Sequence, residues 1–426
     1  KQIISATAFL EQVTITPPRD LILVDEIMAT VETRDRIEAM LLAVFMPRKR
    51  LLRMLGGNEK RDIDDLATVV FSSGSEGEPK GIMLSHYNVT KNIEAALQVF
   101  PHQKNDCIMG MLPFFHVFGY TATLWLALVH GNFSSVYHPN PMEPRAIGKL
   151  IEEYGATIMF STSTFLHGFV RRCTPKQMNS LRFIIAGAEK LSPRVRDAFK
   201  EKFGIEPLEG YGTTECAPIV SLNVPDFRAP GFYQKGTKRG SIGHPLPGIS
   251  VRITDPDTED VLQNGASGLL WIKGPNVMQG YLNMPEKTAS VLKDGWYETG
   301  DIAVIDEDGF ITITDRLARF SKLGGEMVSH TKVEEALLEI LDTAETVLAV
   351  TGVPDDTKGE RLIVLHTLED GEYENLMTRL NETGLPNLWI PKQKAFYKID
   401  EIPILGTGKL DIKGVKTLAH NLDVGE

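Results

Sequence analysis

A chain of 426 residues is too long for one simple hydrophobic core, so two or more domains are expected. Apolar residues make up 42% of the chain and charged residues 24%, which is ordinary for a folded soluble protein. The formal net charge of -11 argues against a dedicated nucleic-acid-binding protein, because phosphate neutralisation requires a basic surface. This charge does not exclude a local site for a nucleotide.

The cysteines and the start of the chain bear on its compartment. The three cysteines show no CxxC spacing and are typical of reduced thiols, so the sequence predicts a cytoplasmic protein. The first residues lack a basic segment followed by an apolar one, so no signal peptide is predicted.

The first sixty residues predict strands at 2–4 and 21–24 followed by a helix. Residues 39–55 mix apolar side chains with a basic cluster, and Pro47 interrupts the segment. We favour the end of a surface helix here, with a contact to a membrane surface or an acidic partner as the alternative. The basic cluster consists of Arg48, Lys49, Arg50 and Arg53.

The middle of the chain alternates between predicted strands and helices. Strands are expected at 67–71 and 181–186, and a helix is expected to begin at Pro193. Residues 107–142 lack charged side chains, but Pro113 and several glycines interrupt the run. We therefore expect a loop and a buried helix at roughly 118–130 instead of a membrane span. The alternation predicts an α/β fold with a mostly parallel sheet.

From about Gly240 the pattern changes to short strands joined by turns. Strands are predicted at 249–254, 268–273, 302–305 and 310–314, which indicates a β-rich subdomain with antiparallel pairing.

The last part of the chain predicts a small α+β domain. Thr331 and Glu334 have the spacing of a helix capping box, and strands are expected at 347–353 and 361–368. We predict one domain over residues 1–315 and a smaller one over residues 316–426.

The segment SSGSEGEPKG (72–81) follows a predicted strand directly. Its glycines allow a close backbone approach to phosphate oxygens, its hydroxyls can donate to them, and Lys80 adds positive charge. The segment is not a Walker A motif, because Pro79 separates the glycine from the lysine. Taken alone, it is also consistent with a polar surface loop.

Six further motifs follow in order. They are LPFFHVFG (112–119), AGAEKL (186–191), GYGTTE (210–215), WYETGD (296–301), DRLARFSKLGGEMV (315–328) and LGTGKL (405–410). Together these motifs resemble the adenylate-forming superfamily, which includes acyl-CoA synthetases, peptide-synthetase adenylation domains and firefly luciferase. The resemblance extends from about residue 67 to residue 411. It implies a large layered α/β N-terminal domain with a β-rich subdomain, followed by a small mobile C-terminal domain.

Within this superfamily the chain looks most similar to bacterial acyl-[acyl-carrier-protein] synthetases. These are often one half of a bifunctional enzyme with 2-acylglycerophosphoethanolamine acyltransferase, which serves phospholipid reacylation. The similarity lies in SSGSEGEPKG, STSTFLHGF (161–169), SLRFIIAGAEKL and DFRAPGFYQKG (226–236).

The resemblance implies a role for each motif. Phosphate binding is expected at the loop residues Ser72, Ser73, Gly74, Ser75, Gly77 and Lys80. The adenosine site is expected at Gly187, Ala188, Glu189, Tyr211, Gly212, Thr213, Asp301 and Arg316. Catalytic roles are expected for Thr214 at the α-phosphate, Glu215 at Mg²⁺, Lys409 at the acyl carboxylate and His116 at the acyl pocket. Lys322 is expected beside the thiol tunnel.

Each of these residues has an ordinary structural explanation when it is taken alone. A histidine such as His116 is usually packed, Tyr211 is typical of a core, and Lys409 is typical of an exposed lysine. Only the ordered set favours the functional interpretation.

Three features depart from the superfamily pattern. Glu76 stands where most members have threonine, and Ala318 and Arg319 replace the usual basic and acidic hinge pair. The region before the phosphate loop is shorter than the family's first subdomain, so we expect an incomplete one.

The sequence therefore predicts an acid–thiol ligase that uses ATP and Mg²⁺. A fatty acid would form an acyl-adenylate and then pass to acyl carrier protein or CoA, with no nucleic-acid partner. A fatty acyl-CoA ligase is one alternative, and a non-catalytic regulator that binds an acyl group or a nucleotide is another. We expect a cytoplasmic location, with possible membrane contact through a fused domain outside this chain.

Overall fold

A computed structural model describes residues 3–10, 18, 20–57, 62–72, 79–131, 133–343, 346–355, 357–382, 384–404 and 410–424. Residues 73–78 of the phosphate loop, with Ser73, Gly74, Ser75 and Gly77, lie outside these ranges, as does Lys409. The chain divides into two compact units at residues 1–63 and 64–426.

The first unit contains two short parallel strands and four helices. The strands are β1 (Ile3–Ser5) and β2 (Leu21–Leu23). The helices are α1 (Thr7–Leu10), α2 (Val24–Thr30), α3 (Thr33–Phe45) and α4 (Arg48–Met54). Pro47 precedes α4, which carries the basic cluster, and every residue of α2, α3 and α4 is exposed or half-buried. Helix α4 is therefore exposed, which is consistent with both interpretations of the basic cluster.

The second unit is built around a seven-stranded sheet. In spatial order its strands are β13 (His244–Pro245), β10 (Ile219–Leu222), β9 (Leu208–Gly212), β8 (Phe183–Ala186), β7 (Ile158–Ser161), β5 (Cys107–Gly110) and β6 (Ser134–Tyr137). The five strands from β9 to β6 are parallel, whereas β10 and β13 pair antiparallel at one edge. The predicted parallel sheet is confirmed.

Apolar residues on successive strand positions face opposite sides of this sheet, as pleating requires. Ile108, Ile158 and Ile185 belong to one core, and Met109 and Met159 belong to another. Helices cover the sheet because both of its faces are apolar. They are α5 (His86–Val99), α6 (Leu126–His130), α7 (Pro144–Tyr154), α8 (Ser163–Arg172), α9 (Pro175–Met178) and α10 (Pro193–Phe203), and a π-helical segment, Gly119–Trp125, precedes α6.

Antiparallel strands surround this sheet. A three-stranded sheet contains β3 (Leu66–Ser72), β4 (Lys80–Ser85) and β16 (Gly280–Tyr281), and an exposed hairpin contains β11 (Phe227–Ala229) and β12 (Phe232–Gln234). The predicted β-rich region comprises β14 (Ser250–Thr254), β15 (Ser267–Lys273), β17 (Leu292–Lys293), β18 (Trp296–Ile305) and β19 (Ile311–Arg316), with helix α11 (Pro285–Val291). All strand pairs in this region are antiparallel, as expected.

The residues after Arg319 form a separate five-stranded sheet with its own packing. Its strands are β20 (Phe320–Leu323), β21 (Glu326–Ser329), β22 (Leu348–Asp355), β23 (Gly359–His366) and β24 (Phe396–Lys398). Its helices are α12 (His330–Leu341), α13 (Asp370–Arg379) and α14 (Ile412–Val424). Two apolar cores lie within this segment, one containing Val350 and Val364 and the other containing Ala349 and Ile363. On this basis we propose a domain boundary at 315/316.

The predicted capping box at Thr331 and Glu334 is wrong. Helix α12 begins two residues earlier, and its N-cap is Ser329, whose side chain accepts a hydrogen bond from the Lys332 amide. Thr331 instead donates its hydroxyl to Asp315 (2.9 Å). Glu334 accepts from the Val350 amide (2.7 Å), so tertiary partners outcompete the local pattern.

The remaining expectations concern thiols and membrane spans. All three cysteines are free and buried, which agrees with the predicted reduced thiols. Within the described ranges, no helix is both long and apolar enough to cross a membrane. The uncharged stretch contains the π-helical segment and α6 at the place where a buried helix was predicted. The π-helical segment contains buried residues, but α6 contains none and exposes Leu128 and Val129, so the predicted burial is wrong for α6.

Burial of His330 predicts that stability depends on pH. Burial lowers the pKa of His330 to about 3, and its Nε2 lies 2.8 Å from the Ser321 hydroxyl. The folded state keeps this ring neutral while the unfolded chain binds a proton below 6.5, so stability falls as the pH drops through that window.

We expect His330→Gln to flatten the decline between pH 6.5 and about pH 5 by at most about 2 kcal/mol. Chemical denaturation of the C-terminal segment at several pH values measures this change. His420→Gln, at an exposed position of α14, is the control and should retain the wild-type slope. Parallel slopes for wild type and His330→Gln would contradict the prediction.

Candidate active site

Four of the sequence motifs begin where parallel strands of the central sheet end. The LPFFHVFG motif follows β5, STSTFLHGF begins at the end of β7, AGAEKL at the end of β8, and GYGTTE at the end of β9. Parallel neighbours present their carboxyl ends at one edge of a sheet, and ligands of open α/β sheets bind there. The fold therefore brings the four motifs together at one edge.

His116 lies in a tight turn at this edge. Its Nδ1 accepts a hydrogen bond from the Phe118 amide (3.2 Å). A Cβ on Gly119 would lie 2.3 Å from the Pro113 carbonyl oxygen, so only glycine fits there. Phe115 is exposed, whereas Phe118 is buried. The turn thus presents one aromatic ring to solvent and directs another into the protein.

The predicted adenine segment packs directly against this turn. A Cβ on Gly187 would lie 3.4 Å from the Phe118 ring. Ala188 has a left-handed backbone with φ of 68°, a strained conformation that is common at functional sites. The Glu189 carboxylate accepts from the Thr164 amide (2.6 Å) in the first turn of α8. Glu189 therefore also holds the start of that helix.

The turn that carries Thr213, Thr214 and Glu215 requires a glycine before it. A Cβ on Gly212 would lie 2.1 Å from the Pro218 carbonyl oxygen, so any side chain there would displace the turn. The half-buried Glu215 carboxylate accepts a hydrogen bond from the Tyr281 hydroxyl (3.0 Å).

Tyr281 also links this turn to the phosphate loop. The Lys80 ammonium lies 5.6 Å from the centre of the Tyr281 ring, within the range of a cation–π contact. Tyr281 is part of β16, which pairs with β4 beside the loop. Tyr281 is not predicted from the sequence, because a tyrosine in the segment MQGYL carries no local signal of such a contact.

Tyr211, Asp301 and Arg316 form a second cluster. Asp301 and Arg316 face each other across β18 and β19. The Arg316 Nε lies 3.1 Å from Asp301 Oδ1, and the Tyr211 hydroxyl donates to Oδ2. Burial raises the pKa of Asp301, and Arg316 and Tyr211 oppose this shift. Burial also raises the pKa of Tyr211 well above its usual value, so its hydroxyl remains a donor.

Lys322 is not brought to either cluster. Its ammonium pairs with Asp257 (3.2 Å) in the connection between β14 and β15, and its amide donates to Glu360 (2.6 Å). Ser72 ends β3 opposite Lys80, at the entrance to the phosphate loop.

The donor set is compatible with Mg²⁺ and a nucleotide. Within the described ranges, no group of three or more His, Cys, Asp or Glu side chains could hold a metal. Mg²⁺ is commonly bound by one or two carboxylates together with substrate phosphates, so Glu215 near Lys80 fits a metal that arrives with a triphosphate. Asp301 has remaining acceptor capacity for a ribose hydroxyl.

Comparison with known proteins identifies the family of the chain. The family model described as "AMP-binding enzyme" matches residues 12–282. The long-chain-fatty-acid–CoA ligase of Bacillus subtilis is 32% identical over 352 residues, and that of Yersinia pestis is 33% identical over 353 residues. Each alignment covers 81% of this chain and 60% of the relative, so the chain spans about three fifths of their length.

Solved structures show the same fold. ATP-bound MatB from Rhodopseudomonas palustris has a TM-score of 0.73 and 28% identity, covering 86% of this chain and 70% of MatB. The o-succinylbenzoate CoA synthetase of Bacillus subtilis, solved with an acyl-adenylate, has a TM-score of 0.74 and 23% identity, covering 97% and 77%. The fold and the site define an adenylate-forming enzyme architecture. The chain belongs to the AMP-binding enzyme family.

The Asp301 cluster predicts a measurable stability effect. Arg316→Met would leave a buried carboxylate without its cation, at a cost of about 1–3 kcal/mol. The lower end of this range is expected, because the Arg316 side chain is about half exposed. Urea denaturation at neutral pH measures the loss.

Two further variants test the cause of that loss. Adding Asp301→Asn to Arg316→Met should recover part of the stability, since the buried charge is then removed. Arg228→Met, whose guanidinium lies over the Tyr233 ring, is a control without a buried carboxylate. A double variant as unstable as the sum of the two single changes would refute the explanation.

Proposed function

We propose that this chain activates a medium- or long-chain fatty acid with ATP and transfers the acyl group to a phosphopantetheine thiol. The observation that carries the proposal is the placement of the ordered motifs at one sheet edge, with Tyr281 joining Glu215 to Lys80. The named relatives are CoA ligases for long-chain fatty acids, which supports this substrate class.

In the proposed reaction the fatty acid carboxylate attacks the α-phosphate of ATP, and pyrophosphate leaves. Lys80 and the loop after Ser72 would hold the β- and γ-phosphates, and Glu215 would hold Mg²⁺ against them. Thr214 would contact the α-phosphate, and Asp301 with Arg316 would orient the ribose. Gly187, Ala188, Glu189 and Tyr211 would frame the adenine. Lys409 would stabilise the charge that develops as the bond to pyrophosphate breaks.

Aromatic packing supports an apolar substrate. The rings of Phe118 and Phe160 lie 5.9 Å apart, and Phe165 packs partly buried beside them. His116 precedes this group and would gate the entrance. Each buried methylene contributes about 0.8 kcal/mol, so a long tunnel would discriminate strongly against acetate.

The acceptor has two candidates. The relatives' names favour CoA. The basic cluster on α4 and the resemblance to acyl-carrier-protein synthetases favour acyl carrier protein, and we propose the latter acceptor. In the second step the C-terminal domain would swing about residues 315–319 and bring Lys322 to the thiol. The alternative to an enzyme is a non-catalytic regulator that binds an acyl group or a nucleotide.

Exchange of labelled pyrophosphate into ATP tests the activity. With a panel of acids, we expect exchange to be fastest with medium- or long-chain fatty acids, and Lys409→Ala to abolish it. The same variant should still form thioester from supplied acyl-adenylate, because that step does not release pyrophosphate. Lys413→Ala, an exposed lysine on α14, is the control and should behave as wild type.

Equal loss of both half-reactions in Lys409→Ala would contradict the assigned role. Fastest exchange with acetate or a free amino acid would contradict the substrate class, and absence of exchange with every acid would favour the regulator.

Charge reversal tests the acceptor. The resemblance implies an acidic carrier protein, which basic residues on α4 would attract. The double variant Arg48→Glu/Arg50→Glu should therefore raise the KM for the carrier by ~10-fold at low salt. The effect should shrink as salt rises, and the KM for ATP should stay constant. Reversing Arg171 and Arg172, two exposed residues at the end of α8, gives the same charge change in a different helix and is the control. Equal effects of both pairs, or thioester formation with CoA alone, would contradict carrier docking on α4.

A further inference from the structure

The turn between β9 and β10 carries Thr214 and Glu215 but departs from regular pairing. A 3₁₀ turn, Thr214–Cys216, is followed by a left-handed Ala217 and a cis Ala217–Pro218 peptide. The ladder shifts register between Ile219 and Ser221. The polar groups of this backbone therefore need partners from outside the ladder.

Asn92 supplies two of these partners. Its side-chain oxygen accepts from the Ile219 amide (3.1 Å), and its side-chain nitrogen donates to the Ile219 carbonyl (2.6 Å). The Asn92 side chain thus bonds both peptide groups of Ile219, the residue at which the register of the ladder begins to shift. Asn92 is fully buried on α5, so neither bond can be exchanged for water.

Two further buried side chains complete the set. The Thr121 hydroxyl in the π-helical segment donates to the Ala217 carbonyl (3.0 Å). Asn276, in the connection between β15 and β16, donates to the Cys216 carbonyl (2.9 Å). Both residues are 0% exposed, and each belongs to a different element from Asn92.

Helix α5 connects this set to the phosphate loop. It directly follows β4, the strand that begins at Lys80. One turn before Asn92, the Asn88 side chain donates to the Pro275 and Val277 carbonyls, both at 2.8 Å, and so holds the connection that contains Asn276. The same connection leads to Met278, whose amide donates to the Glu215 carbonyl (2.8 Å).

We infer that Asn92, Thr121 and Asn276 are positioning residues that fix Thr214 and Glu215 relative to Lys80. The inference rests on the proposed function, because it assigns these groups to the binding of Mg·ATP. A functional group must stay within about 0.5 Å of its productive position, and shifts near 1 Å cost about 100-fold in rate. The buried side chains meet this requirement because the backbone groups that they bond would be costly to leave unbonded.

The test compares Thr121→Val and Asn92→Leu with Asn223→Leu. Thr121→Val removes one hydroxyl with little change of shape. Asn223 is a matched control, because it is 2% exposed and donates to the Glu209 (2.9 Å) and Ser241 (2.7 Å) carbonyls. ATP binding is measured by calorimetry over a series of Mg²⁺ concentrations, alongside pyrophosphate exchange and thermal unfolding.

We expect Thr121→Val and Asn92→Leu to need ~10-fold more Mg²⁺ for half-maximal ATP binding. We also expect the kcat of pyrophosphate exchange to fall by roughly 10–100-fold, which is the size of effect seen when catalytic groups are misplaced. The KM for the fatty acid should stay unchanged. Thr121→Ser should restore the wild-type Mg²⁺ dependence, and Asn223→Leu should lower only thermal stability. If Asn92→Leu does not fold, the Thr121→Val and Thr121→Ser pair decides.

Wild-type Mg²⁺ dependence in Thr121→Val, or an equal shift in Asn223→Leu, would overturn the inference. A wild-type protein that binds Mg·ATP without any exchange would overturn the proposed function alone, since calorimetry still compares the variants. A wild-type protein that does not bind Mg·ATP would overturn both.

Discussion

The site depends on how the backbone from Thr213 to Ile219 satisfies its hydrogen bonds. This turn leaves the sheet at the end of the last parallel strand, and the buried peptide groups cannot use water. Gly212 allows the turn to close against Pro218, and side chains from α5, the π-helical segment and a loop complete the pairing. Glu215, which we propose to hold Mg²⁺, is thereby kept in place by residues that would not themselves contact a substrate.

The two carboxylates at the site have different environments, and their chemistry differs accordingly. Asp301 is buried and paired with Arg316 and Tyr211, so it suits a fixed hydrogen bond to a neutral group such as a ribose hydroxyl. Glu215 is half-buried and has one described hydroxyl donor, so its remaining oxygen lone pairs suit a cation. Burial, more than residue type, separates the two roles.

The contacts between the C-terminal segment and the rest of the second unit are of unequal strength. Lys190 pairs with Glu335 at 2.6 Å, and this pair is exposed, so it contributes at most about 1 kcal/mol. Asp315 is buried and accepts from the Ser329 hydroxyl (2.6 Å) and from Thr331. For the proposed swing about residues 315–319, the buried Asp315 contacts would be the costlier ones to break. Its strand pairing in β19 could remain.

Much of the architecture follows from local patterns in the sequence. The alternation of strands and helices and the later change to hairpins both appear in the structure. These features are predictable because the periodicity of apolar residues reports which face of an element is buried. The ordered motifs likewise indicate the family. Each motif is a contiguous stretch of residues, so it can be recognised without knowledge of the tertiary contacts.

The sequence alone therefore determined the fold class and the order of the motifs, and it supplied the candidate residues for nucleotide binding. Only the tertiary structure decided that Tyr281 joins Glu215 to Lys80 and that Asn92 and Thr121 hold the turn between β9 and β10. It also decided that Ser329 caps α12. The reason is physical: each of the first two contacts joins residues far apart in the chain. At α12 the local pattern was outcompeted, because Asp315 and Val350 offered Thr331 and Glu334 better partners than the helix end did.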